Sequence, residues 1–311
     1  MSGTSTIHLT PAVGASPEPD LKPELKLDLK LDLPPLPRTV SEVLRLLSEP
    51  KDDVDAAQLV EVVDSDPVVA AAVLRRINSA FYGMRRTISS VRKAVMLLGF
   101  LEVSNLVLTT GMTRFREAFS TSARASLFDR IMEISIGTGQ FAWLLAEEYD
   151  LDAEGKAYTS GLLHSVGRLI LLFNRPEDYA SLWSSAQDVL PAAERERATF
   201  GADYLMIGAA AAEEWQLPPV LGEVIAHQTT PDALDGTARQ IAALVGTATD
   251  ASVHLVANAD TEAEMPEVEV VWSTHLRVLS EATGVEEERI LQFIAANRDS
   301  VASYVSTMMA V

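Results

Sequence analysis

Of the five histidines, at positions 8, 164, 227, 254 and 275, two stand where side-chain chemistry is conceivable. His164 lies in "SGLLHSVGRLILL", Ser160 to Leu172, an apolar run with Gly161 before the histidine and Gly167 after it. His227 closes "VIAHQ". An imidazole nitrogen positions a divalent ion, a carboxylate neutralises it, and the bound ion acidifies a water for attack on phosphorus. With an aspartate at position 165 the first stretch would read as half of such a centre, but the chain carries Ser165. A lone histidine on a half-apolar helix is more often a hydrogen-bonded structural residue than a ligand. Neither histidine therefore defines an activity by itself.

A second cluster is a local reversal of sign. "RRINSAFYGMRRTISSVRK" gathers Arg75, Arg76, Arg85, Arg86, Arg92 and Lys93 within nineteen residues, interleaved with Asn78, Phe81 and Tyr82. Guanidinium forks beside aromatics suit phosphate or nucleotide anions, and equally suit acidic surfaces of a partner or of the chain's own helices. Inside the cluster, Asn78 and Ser79 are suited to satisfying helix-end backbone groups, Gly83 to a positive φ, and Phe81 and Tyr82 to burial. Trp215, ahead of the double proline Pro218-Pro219, marks a helix corner. Core packing suits it better than a role as an interface anchor.

Composition narrows the field. The 311 residues carry a net charge of −19 and no cysteine. Disulfides, thiolate zinc sites and thiol catalysis are excluded, which suits a reducing compartment, the cytoplasm by default. The negative field repels phosphate backbones and anionic membranes, so neither nucleic acid nor a membrane is an expected partner. The longest apolar stretch, Gly161 to Phe173, is too short for a membrane span and contains His164 and Arg168, the latter expected to reach outward with its head while its stem packs. The first residues lack the basic start and apolar stretch of a secretory signal.

These residues must be positioned by helices. Residues 1–33 form a leader rich in Ser, Thr, Pro and Gly that ends in "LKPELKLDLKLDL". Its period-two alternation formally matches a strand, and it suits either a flexible leader or an extended arm that docks on a partner. "LPPLP" closes the leader with stiff extended backbone. About five helices follow between Arg38 and Arg116, with Asp53, Asp66 and a serine before Val91 as caps, Pro67 at a first helical position and Gly99 as a stop. A second series covers roughly Leu127–Glu148, Ala153–Phe173, Pro176–Gln187, Pro191–Phe200, Ala202–Gln216, Pro218–His227 and Thr237–Ala257. A last pair, about Glu267–Thr283 and Glu286–Met309, follows the acidic "NADTEAEMPEVE" and could pack on the body or extend from it. The expected fold class is all-α: a leader (1–33), an N-terminal helical lobe (34–118), a second helical lobe (125–257) and an extra C-terminal helix pair (266–311).

From Leu33 to about Asp250 the chain resembles an HDOD module, a non-catalytic relative of the HD phosphohydrolases found in bacterial signalling proteins. The resemblance rests on "LPPLPRTVSEVLRLLSEP", on "VVDSDPVVAAAVLRRINSAFYGMRRTISSVRKAVMLLGF", and then on "GLLHSVGRLILL", "ERATFGADYLMIGAAAAEEWQLP" and "VIAHQ" in order. It implies a two-lobed helical bundle whose second lobe is HD-like. HD enzymes hold metal with a histidine on an early helix, an adjacent His-Asp pair and a distant aspartate. Carried over, the early helix offers Ile134 before Ser135, the pair is His164 with Ser165, and the distant carboxylate falls on Asp250. Tyr204 stands where HDOD sequences commonly have another histidine, and His227 is an additional donor nearby in sequence. The pattern implies a vestigial metal pocket with no cofactor; His164 and Asp250 would be the ligands if a divalent metal bound.

The resemblance thus implies a non-enzymatic regulatory or scaffold protein. It would act on other signalling proteins, such as receiver-domain proteins or cyclic-dinucleotide enzymes. Two alternatives remain open: a metal-dependent phosphohydrolase of nucleotides or cyclic dinucleotides, and a nucleotide sensor without turnover built on Arg75, Arg76, Asn78, Tyr82, Arg85 and Arg86.

Overall fold

The computed structural model describes residues 5–9, 29–48, 56–119, 122–151, 153, 155–184, 190, 192–257 and 273–310. The fold is all-α apart from one two-stranded sheet. The first lobe contains α1 (Arg38–Leu46), α2 (Ala56–Asp64), α3 (Pro67–Ile77), α4 (Val91–Leu98) and α5 (Phe100–Thr113), the five helices expected. Asp66 caps α3, its Oδ1 accepting from the amides of Val68 and Val69 at 3.1 and 3.2 Å while Pro67 takes a first-turn position where no N–H is needed. Ser90 caps α4, and Gly99, at φ +86°, separates α4 from α5. The expected cap Asp53 lies outside the described residues.

The basic segment between α3 and α4 is held as a closed loop. The Asn78 side chain accepts from the Ile88 amide at 2.7 Å and donates to the carbonyls of Ile88 and Leu74 at 2.8 and 2.7 Å. Gly83 sits at φ +56°, where a Cβ would be strained. Asn78 therefore builds the loop by tying its two ends together.

In the second lobe α6 (Ser122–Glu148) is the central rod, with α7 (Lys156–Leu163), α13 (Gly236–Ala257) and α15 (Glu287–Met309) packed along it. α8 (Val166–Asn174), α9 (Pro176–Ser184), α10 (Ala193–Phe200), α11 (Tyr204–Glu214) and α12 (Pro219–His227) complete it. The single helix expected over Ala153–Phe173 is two helices, broken at His164 and Ser165, the latter at φ −110° and ψ 19°. Side chains from elsewhere satisfy the freed backbone groups: Gln228 donates to the His164 carbonyl at 2.8 Å. The break can thus sit inside the core with the His164 carbonyl satisfied.

The C-terminal pair packs on the body. α14 (Ser273–Thr283) lies against α13, and α15 reaches α5 as well as α6. The acidic segment before this pair, its expected start at Glu267, and residues 185–187 and 191 at two expected helix ends lie outside the described residues.

Part of the leader is sheet. β1 (Ser5–Leu9) pairs antiparallel with β2 (Leu29–Leu33), Ile7 opposite Leu31. The alternation does what period two requires: Leu29, Leu31 and Leu33 are buried while Lys30 and Asp32 face out. β2 lies against α8 and β1 against α11, each fully buried leucine contributing roughly 2 kcal/mol of apolar burial. Asn174 at the end of α8 acts as a strand edge, accepting from the Asp32 amide at 2.8 Å and donating to its carbonyl at 2.9 Å. The period-two pattern is a strand at 29–33, lying against the chain's own second lobe; residues 10–28 lie outside the described residues.

Candidate functional site

Two glycines set the geometry around His164. A Cβ on Gly161 of α7 would lie 2.7 Å from the Gly139 Cα and N of α6, so the two backbones cross closer than any side chain permits. That crossing brings the α7–α8 break against α6. The Ser135 and Ser165 hydroxyls meet at 2.7 Å, both buried, and Ile134 is fully buried.

His164 is 1% exposed, and its Nδ1–H donates to the Gly161 carbonyl at 2.7 Å. Burial holds its pKa down to about 4, with the Arg168 charge acting the same way and the Gly161 bond opposing it. The imidazole is therefore neutral at physiological pH. A folded-state pKa below the ordinary 6.5 means that the unfolded chain binds the proton more readily. The resulting stabilisation is complete above about pH 6.5 and is lost as pH falls toward 4. Chemical denaturation at pH 7 and pH 5 is expected to show about 2 kcal/mol less stability at pH 5 from this residue, and His164→Gln should flatten that difference.

Around Arg168 the structure corrects one expectation. The sequence suggests a stem packed in the core and a head reaching outward, but the head is buried and pairs with Glu196 at 2.7 Å, their side chains 5% and 0% exposed. Glu196 also accepts from Tyr179 at 3.0 Å and from the Tyr204 amide at 2.9 Å. The guanidinium lies 3.9 Å from the centroid of the Tyr204 ring, a cation–π contact. Burial opposes the charge on Arg168, but Tyr179, Glu196 and Tyr204 outweigh it and raise its pKa. The tyrosine at the position of the family's histidine is thus a lid on a buried cation.

The remaining positions do not converge. Asp250 on α13 accepts from His275 Nδ1 of α14 at 3.1 Å. His227 is half-buried at the end of α12, while its neighbour Gln228 enters the core. Among the described residues no three His, Cys, Asp or Glu side chains gather as a metal would require. The metal of the HD enzymes does not fit these residues: at the positions the resemblance assigns stand a hydrophobic side chain and a hydroxyl already bonded to another hydroxyl, and Asp250 is held by His275.

In the basic segment, the six predicted residues divide by role. Arg75, Arg85 and Arg86 are exposed and form no ion pair among the described residues, as do Arg92 and Lys93. Arg76 is 3% exposed, Asn78 clamps the loop, and Tyr82 donates to Glu102 at 2.6 Å, so none of these three joins Arg85 and Arg86 in an exposed basic surface. Burial pushes the Glu102 carboxyl up, and the Tyr82 bond opposes it. Trp215 packs against the apolar core, the role favoured for it.

Sequence reasoning missed Ser135, Glu196, Tyr179, Gln228 and Glu102. "AERERATF" reads as a solvated helix, and nothing in its spacing singles out Glu196 as fully buried. The one hint is the apolar "GLLHSVGRLILL" around Arg168, which by itself fits a head that reaches water as well as a buried cation.

A two-lobed helical bundle with an HD-like second lobe defines the class. The HDOD domain family model matches residues 33–231, and the chain belongs to the HDOD family. A curated relative, an uncharacterized protein of Treponema pallidum (strain Nichols), is 28% identical over 204 residues, 65% of this chain and 38% of that protein. The chain therefore spans well under half of that relative's length. Among solved structures, an HDOD domain protein with unknown function from Geobacter sulfurreducens superposes with a TM-score of 0.73 at 21% identity, covering 90% of this chain and 94% of the other. A candidate signal transduction protein from Marinobacter aquaeolei VT8 gives a TM-score of 0.66 at 25% identity, covering 88% and 59%. A candidate phosphohydrolase from Shewanella amazonensis SB2B gives 0.62 at 22% identity, covering 89% and 95%. No helix among the described residues is long and apolar enough to cross a membrane.

Proposed function

We propose that the chain is a non-enzymatic regulatory or scaffold protein of bacterial signal transduction that works by binding other proteins. The observation that carries this reading is the Ser135–Ser165 hydroxyl pair at 2.7 Å, which engages Ser165, the residue that the resemblance to HD enzymes sets at the position of their aspartate. Two hydroxyls bonded to each other hold a helix crossing together and leave no charge to neutralise a divalent ion. The His164 ring beside them is neutral, buried and committed to a main-chain carbonyl. The signal-transduction description of the Marinobacter protein points the same way. Arg85 and Arg86 supply a surface for an acidic partner, because they are exposed basic groups that form no ion pair among the described residues, on a chain of net charge −19.

Capture of partners from the native bacterium by the tagged full chain tests this directly. A partner retained by the wild type is expected to be lost, or weakened at least about tenfold, with Arg85→Glu and Arg86→Glu together, and more readily at high salt. Retention of the same partners at unchanged affinity would count against the surface, and absence of any partner against the function.

A further inference from the structure

Where the last turn of α3 meets the last turn of α15, a recess of about 380 Å³ is lined by Arg75, Arg76, Ser79, Ser306 and Thr307. Its floor holds a buried charge with neutral company. The Arg76 guanidinium, 3% exposed, donates to Thr110 Oγ1 at 2.6 Å, to the Met308 carbonyl at 2.6 Å and to Thr113 Oγ1 at 3.3 Å. No carboxylate is bonded to it among the described residues. Desolvation pulls its pKa down to about 10, with Tyr158 and Tyr304 opposing, so the group remains a cation at neutral pH. A cation taken out of water is costly unless an opposite charge accompanies it.

Two further atoms at the same place lack partners. Arg76 Nε and Ser79 Oγ are buried without a hydrogen bond among the described residues. Beside them Arg75 is exposed and forms no ion pair among the described residues, and Ser306 and Thr307 add hydroxyls from α15. Two guanidinium groups and three hydroxyls converging on one recess exceed what the two oxygens of a carboxylate accept. They match the three terminal oxygens of a phosphoryl group. The recess is also larger than a bare phosphate, leaving room for the group it esterifies.

We propose that this recess binds a small phosphate monoester, with Arg75, Arg76 and Ser79 holding the phosphoryl group and Ser306 and Thr307 closing it from α15. Because Arg76 already donates to the Met308 carbonyl, the anion strengthens the junction between the first lobe and the C-terminal helix. Ligand occupancy is thereby coupled to the docking of α15. The inference stands apart from the proposed partner-binding role, which rests on Arg85, Arg86 and the Ser135–Ser165 pair.

Calorimetry on the full chain at low ionic strength, with inorganic phosphate, AMP and adenosine, tests it. Phosphate and AMP are expected to bind and to raise the melting temperature, and adenosine to do neither. Arg75→Ala, a surface change that leaves the core intact, should weaken AMP about tenfold or more, the loss of a charge-assisted contact. Ser79→Ala should weaken it by a smaller factor, and Arg85→Ala with Arg86→Ala should leave it unchanged. Arg76→Gln should abolish the thermal shift, and Arg75→Ala carries the test if that variant does not fold. The proposal is overturned if phosphate and AMP do not bind, if adenosine binds as well as AMP, or if Arg75→Ala leaves affinity unchanged.

Discussion

Glu196→Ala is expected to destabilise the fold by about 3–5 kcal/mol, the cost of leaving a buried cation without its carboxylate partner. The substitution removes the 2.7 Å partner of Arg168, the acceptor for the Tyr179 hydroxyl and the acceptor for the Tyr204 amide at once. Arg168 cannot turn to solvent, because it is held in α8 beneath the Tyr204 ring. Urea unfolding at neutral pH would read the loss as a lower midpoint at unchanged slope. The double variant Arg168→Met with Glu196→Leu should recover much of it, because replacing both charges by apolar groups removes the desolvation cost along with the attraction. A single variant within 1 kcal/mol of wild type would mean that water reaches the pair.

Gly167→Ala is expected to cost about 3 kcal/mol, at the upper end for an added core methyl. A Cβ at that position of α8 would overlap the Tyr204 carbonyl and lie 2.9 Å from the Gly208 amide nitrogen of α11. Both are backbone atoms of a packed helix and have no rotamer to move into, so the helices must separate. Gly222→Ala on α12 is the matched control. Its new Cβ would meet the Ala212 Cβ at an ordinary 3.7 Å, so the gain in helix propensity, about 0.5–1 kcal/mol, should prevail. Opposite signs for the two glycines in one assay would establish that close packing, and not loss of glycine as such, sets the effect.

The elements were legible where local rules act alone. Asp66 with Pro67, Ser90 with Gly99, and the turn around Gly83 all follow from capping and φ preference, and they stand where the sequence places them. The break at His164 and Ser165 was not legible, because it depends on Gln228, sixty-four residues away, satisfying a carbonyl. The same holds for the buried pair. Arg168 on an apolar helix looks like a residue whose charged end seeks water, and only the three-dimensional arrival of Glu196 keeps it inside. Of the leader, the leucine alternation was legible as a strand pattern, but its docking surface on α8 and α11 was not, since strand pairing and cover are non-local.

The site was legible in its absences and not in its replacements. Ile134 and Ser165 stand out against the HD pattern in the sequence, whereas the bond that makes use of the change runs from Ser135 to Ser165. Asp250 aligned as a ligand but serves His275. In the basic segment, charge density alone could not separate Arg76, which ties α3 to α5 and α15, from Arg85 and Arg86 on the surface.

The central claim, that the chain acts by binding and does not hydrolyse phosphodiesters at His164, is tested most directly by one assay. Purified wild type and His164→Ala are incubated with a chromogenic phosphodiester and a cyclic dinucleotide in the presence of Mn²⁺ or Mg²⁺. The account predicts no turnover above the protein-free rate in either protein. Turnover by the wild type that is abolished in His164→Ala would contradict it.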